Sequence, residues 1–471
     1  MKEYLKLAWR NIWRNKRRTF ITAASIFFAV FLSIFMRGFQ LGTYSHMIHQ
    51  SVEMYSGYLQ VQHPKFFDEE NVDYSLLYTD SLLEQLRAVP GVKSVAPRIN
   101  NFSFASFGEQ SKGVIVMAVD PIAEKQSSNP EQNLIHYRLT KDAIFKIEKQ
   151  MRLSKDMKQR LLDFEEFSFK NEDAIISSLE LNKKDDAKLL SLLKEYSVYP
   201  GSILQPDDDG VFISSRLSKY LNINTGDTLV LMGQGYHGAS AAGLFPVRGV
   251  VKIIAPDLDN KLVYMTLSRA QKYFNMPNMV NYFAINLDNS DDFLKMQEYI
   301  QKSLPVDKML VKNWKELNPT LEQQIEGDSK SGLMFLGILY LIIFFGIFGT
   351  VLMMLAERKR EFGVLVAIGM KKKVLSLVVV LEMMMIGLIG TIVGMIASTP
   401  LIILGYYYPL RYTGQTAKMM EDMGFDALMP MEWFGSYFYL QGVVVIIMVV
   451  LACYFPLRAI RKMKIINNLR A

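Results

Sequence analysis

The segment Glu357–Lys373, ERKREFGVLVAIGMKKK, is charged at both ends and lies between two long apolar runs. Uncharged runs of that length predict membrane-spanning helices, so the segment is a tight loop between two spans. In its middle, Phe362, Leu365 and Ile368 recur at helical spacing, which predicts a short amphipathic helix with an exposed apolar face. A helix this short is marginal alone and needs a surface to lie on. The pattern suits contact with a soluble partner, although a loop that only fixes topology by positive charge would carry similar charges.

The rest of the 471-residue chain is half hydrophobic, and its apolar residues concentrate in four runs. The single cysteine, Cys453, lies in the last run and excludes a disulfide within the chain. The net charge of +7 arises from short basic segments at both ends and in the 357–373 loop, whereas the long region between the first two runs is mildly acidic. This asymmetry favours orientation by positive charge in a membrane and argues against nucleic-acid binding.

These features predict an α-helical membrane protein with four transmembrane helices and a large α+β extracytoplasmic domain. Placing the basic segments in the cytoplasm gives the following order: interfacial amphipathic helix 1–18, transmembrane helix 1 at 19–37, periplasmic α+β domain 38–330 with a helical insertion at about 129–198, transmembrane helix 2 at 331–356, cytoplasmic loop 357–373, transmembrane helix 3 at 374–404, external loop 405–432, transmembrane helix 4 at 433–457 and cytoplasmic tail 458–471.

The large domain reads as α+β because strand and helix signals alternate along it. Residues 57–63, GYLQVQH, alternate in polarity as a strand does, and residues 80–89 have helical periodicity. Residues 129–198 are rich in Lys, Glu, Asp and Leu with leucines at helical spacing, which predicts inserted helices and argues against a disordered linker.

Known catalytic and metal-binding patterns are not found in this sequence. The stretch Gly233–Gly238 formally fits G-x-G-x-x-G, but a strand follows it where the dinucleotide fingerprint requires a helix, so a hairpin loop is the better interpretation. No P-loop motif occurs. His46 with His49, and the run Asp207–Asp209, lack further ligands at a recognisable spacing. We therefore expect no catalytic residue, metal site or cofactor in this chain.

Glu382 is the one ionisable residue within the third apolar run. Such a residue normally faces the bundle interior or water and is a functional candidate, although a structural pairing with a neighbouring polar group explains it equally well. Gly387, Gly390 and Gly394 follow on the same run, and small residues at this spacing permit close helix packing.

Several local motifs make the whole chain, apart from the 129–198 insertion, resemble the FtsX-like, MacB-type ABC transporter permease family. The matching residues are Leu7–Asn11 with Arg17–Thr19, the pattern from Glu357 and Arg358 to Glu361, Gly363, Ala367 and Gly369, then Glu382 with its three glycines, and finally Pro456, Arg458, Ala459, Leu469 and Arg470. Chain length and the GYLQVQHP stretch after the first span look closest to the LolC/LolE lipoprotein-releasing branch. The family usually has a proline where this chain has Ile465 and Ile466.

The resemblance implies a non-catalytic permease subunit of the bacterial inner (plasma) membrane, multi-pass, with both termini cytoplasmic. The large domain would have a MacB-like periplasmic core with porter and β-rich subdomains. A separate ATPase subunit would bind ATP and Mg²⁺ and dock on the coupling residues, which are Glu357, Arg358, Glu361, Phe362, Gly363, Leu365, Ala367, Ile368 and Gly369. Further implied partners are a second permease copy or paralogue, membrane lipid, a lipoprotein cargo and a periplasmic acceptor.

Within this family the cargo stays open. Lipoprotein release by mechanotransmission predicts an apolar cleft, open to the bilayer, near Met36, Phe39, Leu333 and Met334. The alternatives are MacB-like efflux of drugs, peptides or toxins, and an FtsX-like regulator of cell-wall hydrolases whose external domain only binds a protein.

Overall fold

The computed structural model describes residues 2–14, 16–125, 127–253, 256–412, 415–416, 419 and 428–462. The predicted signature residues Leu469 and Arg470, most of the predicted cytoplasmic tail and part of the predicted external loop lie outside this part of the chain. The chain divides into a helical unit, made of Met1–His46, Gln323–Leu410 and Met429–Ala471, and an α/β unit, made of Met47–Glu322 and Arg411–Leu428.

The helices, in chain order, have the following bounds: α1 Lys2–Arg14, α2 Lys16–Ile48, α3 Phe66–Glu69, α4 Asp80–Arg87, α5 Pro121–Glu124, α6 Lys141–Gln150, α7 Lys155–Asp163, α8 Glu172–Leu179, α9 Ala187–Tyr196, α10 Ser215–Leu221, α11 Pro256–Asp259, α12 Leu267–Tyr273, α13 Phe293–Ser303, α14 Trp314–Leu317, α15 Pro319–Glu357, α16 Lys359–Ala367, α17 Lys372–Tyr407 and α18 Ser436–Lys462. A π-helix, His49–Ser56, directly continues α2.

Within the described residues, four helices are long and apolar enough to cross a membrane: α2, α15, α17 and α18. The prediction of four spans is confirmed by these helices, but α2 and α15 are longer than the predicted limits of 19–37 and 331–356. The uncharged runs mark only the residues suited to the hydrocarbon core of a membrane. The helices are longer because their backbone hydrogen bonds continue through the polar residues that flank these runs. Helices α2 and α15 therefore each include residues of both units.

Two of the three glycines predicted to permit close packing place α17 directly against α2. A Cβ at Gly390 would lie 2.8 Å from the carbonyl oxygen of Ala23, and one at Gly394 would lie 3.0 Å from that of Phe27. Backbone atoms cannot move aside as a side-chain tip can, so only glycine fits at these approaches. Gly387 instead faces Val449 of α18, at 3.1 Å.

Replacing Gly390 by leucine is expected to separate α17 from α2 and to destabilise the helical unit by roughly 1–3 kcal/mol, as overpacking does in other cores. The measurement is the melting temperature of the purified chain in detergent. Val393→Leu is the matched control, because Val393 is 49% exposed on the same helix and has room for the added methylene. Equal melting temperatures for the two variants would contradict the close α2–α17 contact.

The strands, in chain order, have the following bounds: β1 Leu59–Gln62, β2 Leu76–Leu77, β3 Val92–Phe107, β4 Gln110–Val119, β5 Tyr137–Leu139, β6 Phe167–Phe169, β7 Val211–Ser214, β8 Thr228–Gln234, β9 Ser240–Val251, β10 Leu262–Thr266, β11 Met279–Val280, β12 Tyr282–Leu287, β13 Leu310–Asn313, β14 Leu410–Arg411 and β15 Leu428–Met429.

Nine of the described strands form one sheet in the order β13-β1-β12-β3-β4-β10-β7-β9-β8. Strand β8 also pairs with β3, through Ser103↔Gly233 to Ser106↔Val230, so the last six strands close into a ring. Closure leaves these six strands without a free edge. The prediction of a large α+β domain is thus confirmed in outline. Its division into porter and β-rich subdomains stays a prediction, because strand β3 belongs both to the ring of six strands and to the remaining part of the sheet.

A buried ion pair joins the first half of β3 to the turn after β4. Arg98 and Glu124 are both fully buried, and the guanidinium donates to the carboxylate at 2.6 and 2.9 Å. Arg98 also donates to the backbone carbonyl of Tyr55, at the end of the π-helix. Since a buried charge is tolerated when its hydrogen bonds are satisfied, this cluster fixes the π-helix to the sheet.

The inserted region has a core of its own. It contains the helices that the sequence predicts, and also two short strands that the sequence does not predict. Helices α6 to α9 enclose buried leucines, including Leu161, Leu179, Leu189 and Leu193. Strands β5 and β6 pair beside them as a short antiparallel ladder. Strands of three residues are too short to show a period-two pattern, so the sequence could not indicate them.

The α/β unit contains one carboxyl whose burial makes stability depend on pH. Burial raises the pKa of Asp259 to about 6, and backbone N–H donors from Ile253 at 3.3 Å and Ser215 at 3.0 Å, with Arg216 at 3.7 Å, only partly offset it. A raised carboxyl pKa contributes stability that is present below the unfolded value of about 3.9 and is lost as the pH rises through about 6.

We therefore expect the stability of Asp259→Asn relative to the wild type to rise by about 2 kcal/mol between pH 4 and pH 7. Melting temperatures of the full chain at four pH values in this interval measure the effect. Asp291→Asn is the control, because Asp291 is exposed. A difference between Asp259→Asn and the wild type that does not change with pH would show that Asp259 is not buried in this way.

Candidate functional site

The 357–373 segment forms helix α16, which ends at a glycine that no other residue could replace without strain. The N–H of Gly369 bonds to the carbonyl of Val366 at 3.1 Å, and the N–H of Met370 bonds to that of Leu365 at 3.0 Å. This pair of bonds is the Schellman motif, and Gly369 has the φ of 108° that such a terminus needs. The turn sends the chain directly into α17.

The predicted apolar face of this helix is divided in the structure, which corrects the prediction. Phe362 is 1% exposed and Leu365 is half-buried, both packed in the core of the helical unit, whereas Ile368 is 80% exposed. Sequence spacing placed the three on one face, but successive residues three apart are rotated by about 60° around a helix, so Ile368 has turned away from the core.

A different stripe of α16 is left uncovered. Arg360, Val364, Ala367 and Ile368 follow the i, i+4, i+7, i+8 spacing of one helix face, and all four are exposed. We call these four residues the open face. Its three apolar members are adjacent and carry no contact in the described core, so the open face is suited to a protein partner.

Glu382 lies at the centre of an ion-pair network that holds α16 to the spans. Its side chain is fully buried on α17, and Oε2 accepts a hydrogen bond from the guanidinium of Arg358 at 2.9 Å. Arg18 of α2 lies 3.5 Å from Oε1, which accepts no hydrogen bond among the described residues. Both arginine side chains are only 11% exposed. The carboxylate therefore joins α2, α16 and α17 at one point.

Two further carboxylates extend the network toward solvent. Glu357, the last residue of α15, accepts from Arg18 at 3.3 Å. Glu361 of α16 is bound by Arg14 at the end of α1 and by Arg358 at 3.1 Å. Burial alone would raise the pKa of Glu361, but hydrogen bonds from Arg14 and Arg358 outweigh it and lower the pKa. Five described helices of the helical unit, which are α1, α2, α15, α16 and α17, thus meet through charged pairs.

The structure brings four of the predicted site residues into this network: Glu357, Arg358, Glu361 and Glu382. Phe362 and Gly363 are buried beneath it, and Arg358 stacks over the Phe362 ring, 5.1 Å from its centroid. Ala367, Ile368 and Gly369 are exposed at the end of α16.

Sequence reasoning missed Arg14 and Arg18. A signal existed, since a glutamate within an apolar run needs a cation, and the N-terminal cluster offered several. Nothing in the linear order selects these two, because more than 330 residues separate them from their partners.

The residues predicted to line a cargo cleft occupy two helices. Leu333 and Met334 on α15 are 55% and 62% exposed, and Met36 and Phe39 on α2 are half-buried. Their role in cargo binding stays a prediction. In the part of the chain that the structure describes, no group of three or more His, Cys, Asp and Glu side chains could hold a metal ion.

Comparison with known proteins finds a family match in the C-terminal part of the chain. The family described as "FtsX-like permease C-terminal" matches residues 333–465, which contain α16, α17, α18 and most of α15. The chain is also 24% identical over 232 residues to the "Uncharacterized ABC transporter permease MJ1507" of Methanocaldococcus jannaschii. That alignment covers 48% of this chain and 55% of the relative, so the chain spans about half the length of the curated relative it matches.

Two solved structures are similar to parts of the chain. The periplasmic region of MacB from Actinobacillus actinomycetemcomitans aligns with 59% of this chain and 98% of its own, at 13% identity and a TM-score of 0.30. The extracellular domain of the ABC-type transporter YknZ from Gram-positive bacteria aligns with 54% and 99%, at 11% identity and a TM-score of 0.27.

Proposed function

We propose that this chain, an FtsX-like permease by its residues 333–465, is the membrane subunit of an ABC transporter whose ATPase is a separate chain. The family match and the relative support the FtsX-like ABC permease resemblance, whereas the MacB-type and LolC/LolE assignments stay proposals. The proposed topology has both termini and the 357–373 segment in the cytoplasm and the α/β unit outside the bacterial inner membrane, in the periplasm.

The observation that carries the proposal is the open face of α16 above a buried charge. A docking ATPase would cover Val364, Ala367 and Ile368, which nothing in the described chain covers. The helix beneath is fixed to α17 by Arg358 and Glu382, so a push on α16 cannot be absorbed by the loop alone. This arrangement supports coupling of the ATPase to the membrane helices through α16, which its ion pair holds rigidly to α17.

Motion would reach the α/β unit through two continuous helices. Helix α15 ends at Glu357, next to α16, and begins at Pro319 among residues of the α/β unit. Helix α2 begins at Lys16 and continues into the π-helix, whose last turn Arg98 holds to the sheet. ATP binding and hydrolysis in the partner would thus be converted into displacement of the α/β unit, which is mechanotransmission.

A second permease copy or paralogue is part of this proposal. In the most apolar stretch of α15, only 17% of the residues are buried, against 50% in the corresponding stretch of α17. Among the described residues, nothing lies within 4 Å of a Cβ at Gly337, Gly346 or Gly349 of α15. Small residues on an uncovered membrane helix allow another helix to approach closely.

We propose lipoprotein release as the work performed. Leu333, Met334 and Phe335 are exposed on α15, so an acyl chain arriving from the bilayer would meet an apolar surface there. Efflux of a drug, peptide or toxin, and regulation of a cell-wall hydrolase, are the competing outcomes of the test below.

The test is reconstitution in proteoliposomes with the cognate ABC ATPase. We expect ATP hydrolysis to rise several-fold over the ATPase alone, and a fluorescent acylated protein to pass to a soluble acceptor only with ATP. Unchanged hydrolysis would refute the permease assignment. Stimulated hydrolysis with efflux of a soluble drug, and no transfer of the acylated protein, would refute lipoprotein release alone.

A further inference from the structure

A cavity of about 550 Å³ lies in the helical unit between α1, α16 and the first turns of α17. This volume is within the range of about 300–1,000 Å³ that ligand pockets in proteins occupy. Its wall combines charged and apolar side chains, which are Leu7, Arg10, Asn11, Arg14, Arg358, Arg360, Glu361, Phe362, Val364, Leu365, Met370, Leu375, Val378, Val379 and Glu382.

The charges of the wall are not balanced. Four guanidinium groups face two carboxylates. Arg14 is paired with Glu361, and Arg358 with both Glu361 and Glu382. Arg10 and Arg360 are exposed and form no ion pair with any described residue. One lies on α1 and the other on α16, so two helices contribute uncompensated positive charge to the cavity wall.

The apolar part of the wall comes from the beginning of a membrane span. Leu375, Val378 and Val379 lie on the first two turns of α17 and are buried. On the outer side of α1, Trp9 and Trp13 are 48% and 54% exposed, as tryptophans at a membrane interface are. The cavity therefore lies at the level of lipid headgroups, with cations beside a hydrocarbon-like surface.

We propose that this cavity binds the phosphate headgroup of an anionic phospholipid, with Arg10 and Arg360 as the two ligands and the glycerol end of the acyl chains against Leu375 and Val378. Basic pockets beside spans on the cytoplasmic side are known to suit such headgroups. A lipid bound here bridges α1 and α16 and restricts α16, the helix that carries the open face. The inference requires a membrane but does not require that the chain be a transporter.

The experiment titrates the detergent-solubilised full chain with phosphatidylglycerol, with phosphatidylcholine and with inorganic phosphate, and measures bound ligand by native mass spectrometry. The test variant is Arg10→Gln with Arg360→Gln. The matched control is Lys6→Gln with Arg17→Gln, which removes two exposed cations of the same region that do not line the cavity. Both pairs are surface residues, and gel filtration verifies that both variants remain folded.

We expect the test variant to bind phosphatidylglycerol at least about tenfold more weakly than the wild type, and the control to change less than about threefold. An equal loss in both variants, or no loss in the test variant, would overturn the site. Equal binding of phosphatidylcholine would overturn the preference for anionic lipid. Saturation by inorganic phosphate at the same concentration as phosphatidylglycerol would overturn the lipid assignment, since a free anion would then suffice.

Discussion

Replacing Ile368 by aspartate is expected to abolish the stimulation of the partner ATPase, with a loss of at least tenfold, while the chain keeps its fold. Ile368 is 80% exposed, so no core contact is lost. In the docked complex the same position would be covered, and an unpaired carboxylate buried in an interface is penalised by several kcal/mol. The measurement is ATP hydrolysis by the reconstituted complex as the concentration of ATPase is varied.

Val306→Asp is the matched control for this experiment. Val306 is an apolar residue that is 62% exposed, but it lies in the α/β unit. We expect it to leave hydrolysis within about twofold of the wild type, as surface substitutions do. If Ile368→Asp and Val306→Asp behave alike, the open face of α16 is not where the ATPase docks.

Replacing Glu382 by glutamine is expected to destabilise the helical unit by roughly 3–5 kcal/mol, the usual effect of breaking a buried ion pair from one side. The substitution keeps the volume of the side chain but leaves Arg18 and Arg358, each 11% exposed, facing an amide. The melting temperature of the purified chain measures the loss. We also expect the ATPase stimulation to fall, because α16 would no longer be held to α17.

Two further variants separate the ion pair from other effects. Glu361→Gln removes a carboxylate that is 48% exposed, and we expect it to change stability by less than about 1 kcal/mol. Adding Arg358→Met to Glu382→Gln removes the cation that was hydrogen-bonded to Glu382, while Arg18 keeps its bond to Glu357. The double variant should therefore recover most of the stability, since an apolar replacement of a buried pair is often neutral. A double variant less stable than Glu382→Gln would contradict this account of the network.

Much of the fold could be predicted because it rests on local signals. Alternation in polarity located strand β1, and helical periodicity located α4. Uncharged runs located the four spans, since the requirement for an apolar surface in a bilayer is visible residue by residue.

The features that the sequence did not reveal depend on contacts between distant residues. Strand β3 pairs with β12 along its first half, and its second half closes the ring with β8. A strand that pairs with different neighbours along its length has no signature in its own sequence. Likewise, the charged 357–373 segment located the site in the sequence. The partners of Glu382 depend on how α2 and α16 pack on α17, and the spacing of residues along the chain does not encode that packing.

The central claim is that the 357–373 segment and the α/β unit act from opposite sides of a membrane. Its most direct test is accessibility labelling in intact cells, in a background where the single cysteine, Cys453, is replaced by serine. One variant carries Lys373→Cys and another carries Glu109→Cys in the turn between β3 and β4. The account predicts that a membrane-impermeant maleimide labels Glu109→Cys in intact cells and labels Lys373→Cys only after permeabilisation of the inner membrane. Labelling of both positions from the same side would contradict it.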